Sequence, residues 1–177
     1  MATEYEVKVL DIDTEGIISR LNNLGAEKIG EKNMRRYVYE FSPKRASSWI
    51  RLRDEGEKVS ITIKEFVKDS IDGMEETEIV VDDFETANLL LEKLGYSYEV
   101  YQENKRISYL LDGVRIEIDS WPKIPEYLEI EGDSREDVER IIDLLEIDKT
   151  KITSVPTKDI YEKYGLNLHS FKELRFG

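Results

Sequence analysis

The residues best suited to chemistry in this chain stand two positions apart, in pairs and one triple. They are Glu4, Glu6 and Lys8 in the stretch Glu-Tyr-Glu-Val-Lys-Val, then Arg51 and Arg53, Thr62 and Lys64, Glu76 and Glu78, Glu117 and Asp119, and Glu129 and Glu131. A spacing of two puts side chains on one face of a β-strand while the residues between them take the other face. Several of these pairs are like-signed, which costs electrostatic energy unless an opposite charge binds between them. Neighbouring carboxylates in a partly dry place attract a divalent ion, and an all-oxygen donor set suits Mg2+ or Mn2+. Paired arginines and lysines suit phosphate oxygens, which arginine meets with two N–H groups at once. Together the two sets describe a polyphosphate bound with metal.

Strands must carry these pairs, and alternation or β-rich runs place eight of them at about 3–10, 34–41, 48–54, 58–66, 74–82, 97–111, 113–119 and 125–131. Turn signals separate them at Ser42-Pro43, Asp54-Glu55-Gly56, Asp72-Gly73 and Asp112-Gly113. The last favours a tight two-residue hairpin, so 97–111 and 113–119 should pair antiparallel. Helices are expected at 14–24, from a Thr14 cap to Gly25, at 83–94 ending at Gly95, and at 134–147 from Ser134. Glu4-Tyr5-Glu6, a helix and Leu24-Gly25 resemble Glu76-Thr77-Glu78, a helix and Leu94-Gly95, with a weaker third copy from Glu129. The fold class is α+β. The expected architecture is a closed eight-stranded antiparallel β-barrel, or tunnel, with helices packed outside, because closure removes sheet edges.

Two arrangements of the strand faces are open. Either each apolar face lines a core and each charged face meets water, or the apolar faces pack outward on helices and the charged faces converge inside. The need of the helices for an apolar surface and the like-signed pairing favour the second.

Composition narrows the function classes. At 177 residues the chain suits one domain, 1–177. Its formal charge of −13 argues against a nucleic-acid polymer as partner, since that binding needs clustered Lys and Arg. There is no cysteine, which removes disulfides, thiolate metal sites and cysteine nucleophiles. No apolar run reaches membrane-spanning length and no signal-peptide pattern opens the sequence, so no membrane and a cytoplasmic setting are expected. The lone histidine, His169, lies away from every motif. Trp49, Tyr37, Tyr39 and Trp121 have the chemistry to stack on a ligand ring, against packing in core or at a tunnel mouth, and Trp121-Pro122-Lys123-Ile124-Pro125 reads as a rigid bend.

Glu-x-Glu-x-Lys at Glu4, Glu6 and Lys8, Arg51-x-Arg53, Thr62-x-Lys64, the Lys105-Arg106 cluster, Asp119 and Glu129-x-Glu131 occur in the order seen in the CYTH superfamily, which the chain resembles from Glu4 to about Tyr161. These are the triphosphate tunnel metalloenzymes, which include class IV adenylate cyclases, thiamine triphosphatases and inorganic tripolyphosphatases. The resemblance implies an eight-stranded antiparallel tunnel. It implies divalent metal on Glu4, Glu6, Asp119, Glu129 and Glu131, with Glu78 or Glu76 as a further tunnel acid. It implies triphosphate on Lys8, Arg51, Arg53, Lys64 and Arg106, joined by Lys105 and by a C-terminal lysine at Lys158. Glu4, Glu6, Lys8, Arg53 and Lys64 form the expected catalytic set. Many members carry Lys-x-Arg on the long strand. Here Asn104 stands at the lysine position, so strand register decides whether Asn104 or Lys105 lies with Arg106. The His-Phe that precedes Glu-x-Glu-x-Lys in some bacterial class IV cyclases is absent.

The resemblance therefore points first to metal-dependent hydrolysis of inorganic tripolyphosphate or a small organic triphosphate. A class IV-like cyclase making cyclic AMP and diphosphate from ATP is the enzyme alternative, and a non-catalytic polyphosphate or nucleotide receptor the other. A homodimer is implied by family analogy alone.

Overall fold

A computed structural model describes residues 5–66 and 74–177 of the chain. Two compact units make it up, residues 1–32 with 104–168 and residues 33–103 with 169–177. Glu4 and the expected Asp72-Gly73 turn lie outside the described residues.

The first unit holds β1 (Tyr5–Val9), α1 (Thr14–Asn23), the start of β2 (Glu27–Glu40), the end of β6 (Tyr98–Leu111), β7 (Val114–Ser120), β8 (Tyr127–Gly132), α3 (Arg135–Leu144), β9 (Ile152–Thr153) and α4 (Thr157–Lys163). Strands β6, β7, β8 and β1 pair antiparallel in that order, and β9 pairs with β1. Asp112 and Gly113 have φ of 51° and 82°, the positive values that a two-residue hairpin demands, and Leu111 pairs with Val114 across them. Asp13, one residue before the expected cap, accepts the Gly16 N–H and starts α1, and Ser134 accepts the Asp137 N–H and starts α3. One sheet face supplies Val9, Tyr109, Ile116, Ile118, Leu128 and Ile130 to a core with Ile17 and Leu21 of α1 and Val138, Ile141 and Ile142 of α3.

The second unit holds the rest of β2 and β6, β3 (Ser48–Asp54), β4 (Val59–Phe66), β5 (Met74–Val81), α2 (Phe84–Lys93) and β10 (Glu173–Leu174). Strands β2, β3, β4 and β5 pair antiparallel in sequence, and β10 pairs parallel with β6. Tyr39, Ile50, Leu52 and Tyr101 form its core with Phe84, Ala87 and Leu91 of α2, which starts where Asp83 accepts the Thr86 N–H.

The expected closed eight-stranded barrel is corrected to an open ten-stranded sheet. Its order is β5-β4-β3-β2-β6-β7-β8-β1-β9, with β10 alongside β6. Among the described residues the path has two ends. Lys8 and Val9 of β1 are already paired to Thr153 and Ile152, so β9 covers the edge that closure would use. At the other end β5 carries Glu75, Glu76 and Glu78, charges that discourage a further strand. The helices do cover the apolar faces, as expected. Strand β2 begins at Glu27 rather than near 34. Its first residues, Glu-Lys-Ile-Gly-Glu-Lys, have no clean alternation, and they are held as a strand by neighbouring β6.

Candidate functional site

In the first unit, the strand faces turned away from the core carry the acids. Register sets Lys8 opposite Glu129, Glu6 opposite Glu131, Glu117 opposite Glu129, and Arg106 opposite Asp119. The alternate residues Val7, Val9, Ile107, Ile116, Ile118, Leu128 and Ile130 enter or pack on the core, which fixes the orientation of their charged neighbours. Arg106 is the hub. Its guanidinium donates to both oxygens of Asp119 at 2.7 Å, to Glu129 at 3.4 Å, and pairs with Glu117. Lys8 pairs with Glu6 and lies 3.5 Å from Glu129. Glu117, Asp119, Glu129 and Lys8 are all buried.

Burial works against the Arg106 charge, but the hydrogen bonds and charges of Asp119, Glu117 and Glu129 outweigh it and hold the guanidinium protonated. Glu129 is driven toward its neutral form. Its burial, against the pull of Arg106 and Lys8 and with the push of Glu6 and Asp119, raises its carboxyl to about 7. Both pKa values move up, which favours the charged form of Arg106, facing three acids, and the neutral form of Glu129, which shares its cations with other acids in a dry place.

Carboxylate oxygens of Glu117, Glu129 and Glu131 lie within 4.8 Å of one another. These are hard oxygen donors, crowded and mostly buried, and the set fits a divalent ion of the Mg2+ or Mn2+ kind. Asp119, expected as a ligand, instead has both oxygens engaged by Arg106. Glu117 was not among the expected ligands. Its signal was its parity with Asp119, two residues on.

In the second unit, β3, β4 and β5 present a basic and hydroxyl face. Arg51 pairs in register with Thr62, Arg53 with Ser60 and with Arg36 of β2, Lys64 with Glu76, and Thr62 with Glu78. Arg53 forms an ion pair with Glu55, and Lys64 with Glu76. The buried Nε of Arg51 and of Arg53 have no hydrogen-bond partner among the described residues. Burial, and then the charge of Arg53, lower the pKa of Arg51. Such a row of desolvated guanidinium groups is chemistry for an anion. Glu78 is held by Lys58, by Thr62 Oγ1 at 2.9 Å and by Ser60 Oγ at 3.3 Å, and these bonds, that of Lys58 foremost, bring its carboxyl down to about 2 against some desolvation. Glu78 is thus an anchored partner of the basic face. Arg36 is a second residue that sequence reasoning missed, though it alternates with the core residues Tyr37 and Tyr39.

The register question on β6 is answered. Asn104 is buried on the side of Arg106, and Lys105 is exposed on the opposite side, so Lys105 does not join the cluster. Lys158 on α4 is half exposed and 3.8 Å from Asp159. Tyr37 and Tyr39 pack on the core side, Tyr37 stacked on Phe84 at 5.0 Å, and Trp121 is buried. Only Trp49 of the four aromatic candidates shares the face of Arg51 and Arg53. No helix among the described residues is long and apolar enough to cross a membrane.

Comparison with known proteins follows the same lines. The family model described as the CYTH domain matches residues 2–161. None of the curated proteins matches the chain significantly. Among solved structures, a conserved hypothetical protein of Pyrococcus furiosus is similar with TM-score 0.66 and 22% identity, covering 85% of this chain and 95% of its own. A candidate adenylate cyclase of Vibrio parahaemolyticus is similar with TM-score 0.71 and 14% identity, over 90% and 97% of the two chains. A candidate adenylyl cyclase of Hippeastrum, described as having a dominant triphosphatase activity, is similar with TM-score 0.60 and 16% identity, over 93% and 96%. At these identities the likeness is one of fold.

Proposed function

The chain belongs to the CYTH domain family, and from that premise we propose that it is a metal-dependent hydrolase of a triphosphate, either inorganic tripolyphosphate or a small organic triphosphate. The observation that carries this reading is the group of Glu117, Glu129 and Glu131, whose oxygens come within 4.8 Å on a strand face shared with Lys8 and Arg106. A receptor for anions gains little from buried carboxylates, whereas a hydrolase of a metal-bound polyphosphate needs them.

Glu117, Glu129 and Glu131 would hold Mg2+ or Mn2+, with Glu6 next to Glu131 in register. When bound, such an ion neutralises phosphate charge and activates water. Lys8 beside Glu6 and Glu129, and Arg106 beside Asp119, Glu117 and Glu129, set the charge balance of that face. Taken by itself, the face of the second unit with Arg51, Arg53, Lys64 and Arg36 has the chemistry to engage phosphate oxygens bidentately. The activity described for the Hippeastrum protein supports hydrolysis as the first choice. A cyclase reading has the Vibrio neighbour in its favour, and the same cations would serve it with a ribose hydroxyl replacing water.

The test is product-resolved turnover of tripolyphosphate, ATP and thiamine triphosphate with Mg2+ and with Mn2+. Metal-dependent phosphate release is the expected result. Cyclic AMP and diphosphate from ATP would replace the hydrolase with the cyclase, and tight binding without turnover would leave a receptor.

A further inference from the structure

Three of the four α-helices stop at a glycine in the left-handed region, α1 at Gly25 with φ 77°, α2 at Gly95 with φ 95° and α4 at Gly165 with φ 73°. Helix α3 stops instead at Glu146, held at φ 50°. A side chain in that conformation is strained where glycine is not, so a carboxylate here costs stability. Just beyond β1 stands a second such residue, Asp11 at φ 52°. Within α1, Gly16 holds a position that alanine would make more helical, and a Cβ there would meet Asp13 Oδ2 at 2.5 Å. All three exceptions line one cavity of the first unit, of about 160 Å3. Non-glycine residues kept in strained backbone gather at functional sites.

The cavity has an apolar floor and a charged rim. Val9 and Ile17 of the floor are buried core residues, and Ile12 and Ile147 pack at the margin of that core. The rim sets Asp11, Asp13, Glu146 and Asp148 against Arg20 and Lys151. Both cations are engaged by the protein. Arg20 donates to the Leu145 carbonyl at 2.5 Å and lies 3.5 Å from Glu146, and Lys151 donates to the Asp11 carbonyl at 2.7 Å. The three aspartates each accept through one oxygen, Asp11 from the Tyr164 hydroxyl at 2.8 Å, Asp13 from the Gly16 N–H at 3.2 Å, and Asp148 from the N–H and hydroxyl of Thr150 at 3.0 and 2.7 Å. Four carboxylates against two cations leave the rim negative above the isoleucines.

We propose that this cavity binds a small alkylammonium ion, its hydrocarbon stem on Ile12, Ile17 and Ile147 and its N–H groups among the rim carboxylates. An apolar cavity of about 150 Å3 takes a molecule the size of benzene, about six heavy atoms, which sets the length of the stem. A bare metal ion gains nothing from the floor, and an anion meets a rim of its own sign. The site is separate from the acidic group of the sheet, because Val9 turns to the core side of β1 while Lys8 lies opposite Glu129 on the other side.

Butylammonium is the probe, with 1-butanol and butyrate as neutral and anionic stems of matched length, followed through the isoleucine methyl resonances of the intact chain. Butylammonium should shift the Ile12, Ile17 and Ile147 methyls saturably and leave the other isoleucines unmoved, with a Kd on the order of 1 mM, the affinity that a ligand of about five heavy atoms supports. Butanol should bind several-fold more weakly and butyrate not at all. Glu146→Gly should act in two opposed ways, raising the melting temperature because glycine accepts the left-handed backbone and weakening butylammonium several-fold. Glu146→Gln, which keeps the strain and removes the charge, should weaken binding alike without raising the melting temperature. Absence of saturable shifts at these three methyls overturns the proposal, as does butanol binding as tightly as butylammonium. A Glu146→Gly chain that melts higher yet binds butylammonium like the parent would make Glu146 irrelevant to the cavity, and one that melts lower would make its carboxylate a part of the fold; either result also overturns it.

Discussion

Removing Arg106 is the sharpest perturbation of the acidic face. Its guanidinium holds both oxygens of Asp119 at 2.7 Å, reaches Glu129 at 3.4 Å and pairs with Glu117. The three acid side chains are 2%, 10% and 6% exposed and Arg106 itself 27%. Among the described residues, Arg106→Ala removes the guanidinium that holds both oxygens of Asp119 and leaves Glu129 with Lys8 as its ion-pair partner. Breaking a buried pair by removing one partner costs about 3–5 kcal/mol, out of a total stability of about 5–15 kcal/mol. The sign with pH follows from the acids. Glu129, whose carboxyl burial already raises to about 7 against the pull of Arg106, is pushed further up without the guanidinium, so the variant loses more stability than the parent as pH rises and recovers it as pH falls. Urea unfolding of parent and variant at pH 8 and pH 5 should show a gap of about 3–5 kcal/mol that narrows at the lower pH. Added Mg2+ should also narrow the gap at pH 8, by supplying positive charge to Glu117, Glu129 and Glu131. Arg106→Lys, which keeps one charge but loses the bidentate pair of hydrogen bonds to Asp119, should fall between. A gap below about 1 kcal/mol at pH 8 would refute the reasoning, since it would mean that this face behaves as an exposed surface.

Three further outcomes are expected. Arg53→Ala and Glu131→Ala should each remove metal-dependent phosphate release, by roughly 10²–10³ or more in rate, with far-UV circular dichroism and melting close to the parent; unchanged turnover in either would undo the site assignment. Glu78, with a folded carboxyl near 2 from Lys58, Thr62 and Ser60, contributes stability that is present above its unfolded value of about 4.3 and is lost as pH falls toward 2. Glu78→Gln should therefore flatten the acid limb of a stability–pH curve between those values, and an unaltered limb would count against the assignment. Leu174 of β10 is fully buried, and the strand is tied to β6 by the Tyr101 N–H donating to the Lys172 carbonyl at 2.9 Å and by Arg175 stacked 3.9 Å over Tyr101. Leu174→Ala should cost about 2–5 kcal/mol in denaturant unfolding, although residues 162–177 lie beyond the family match.

What the sequence disclosed was governed by how local each feature is. Alternation told which side chains share a face, because period two is a property of a single strand, and the core residues Ile50, Leu52, Ile116 and Ile118 fell where parity put them. Helices α1, α2 and α3 were legible from their caps and glycines, with the cap of α1 displaced by one residue to Asp13. The short strands β9 and β10, two residues each, have no period to read, and they turned an expected closed barrel into an open ten-stranded sheet.

The site shows the same division at the level of single residues. The Asp112-Gly113 turn fixes the β6–β7 register, and counting outward from it sets Asp119 opposite Arg106 and Ser108 opposite Glu117. The engagement of Asp119 by arginine was therefore available in principle from the hairpin, and with it the reason why Asp119 is less free to bind metal. The neighbours of Glu129 were not available in that way. Its pairing with Glu117 crosses the Trp121–Glu126 bend, and its pairing with Lys8 joins residues more than a hundred positions apart. Parity gives a strand its charged face, but only register across such connections decides whether two carboxylates meet each other or meet a guanidinium. On this face Arg106 takes up both oxygens of Asp119 and pairs with Glu117 as well, but only Glu117 has its carboxylate oxygen brought within 4.8 Å of those of Glu129 and Glu131.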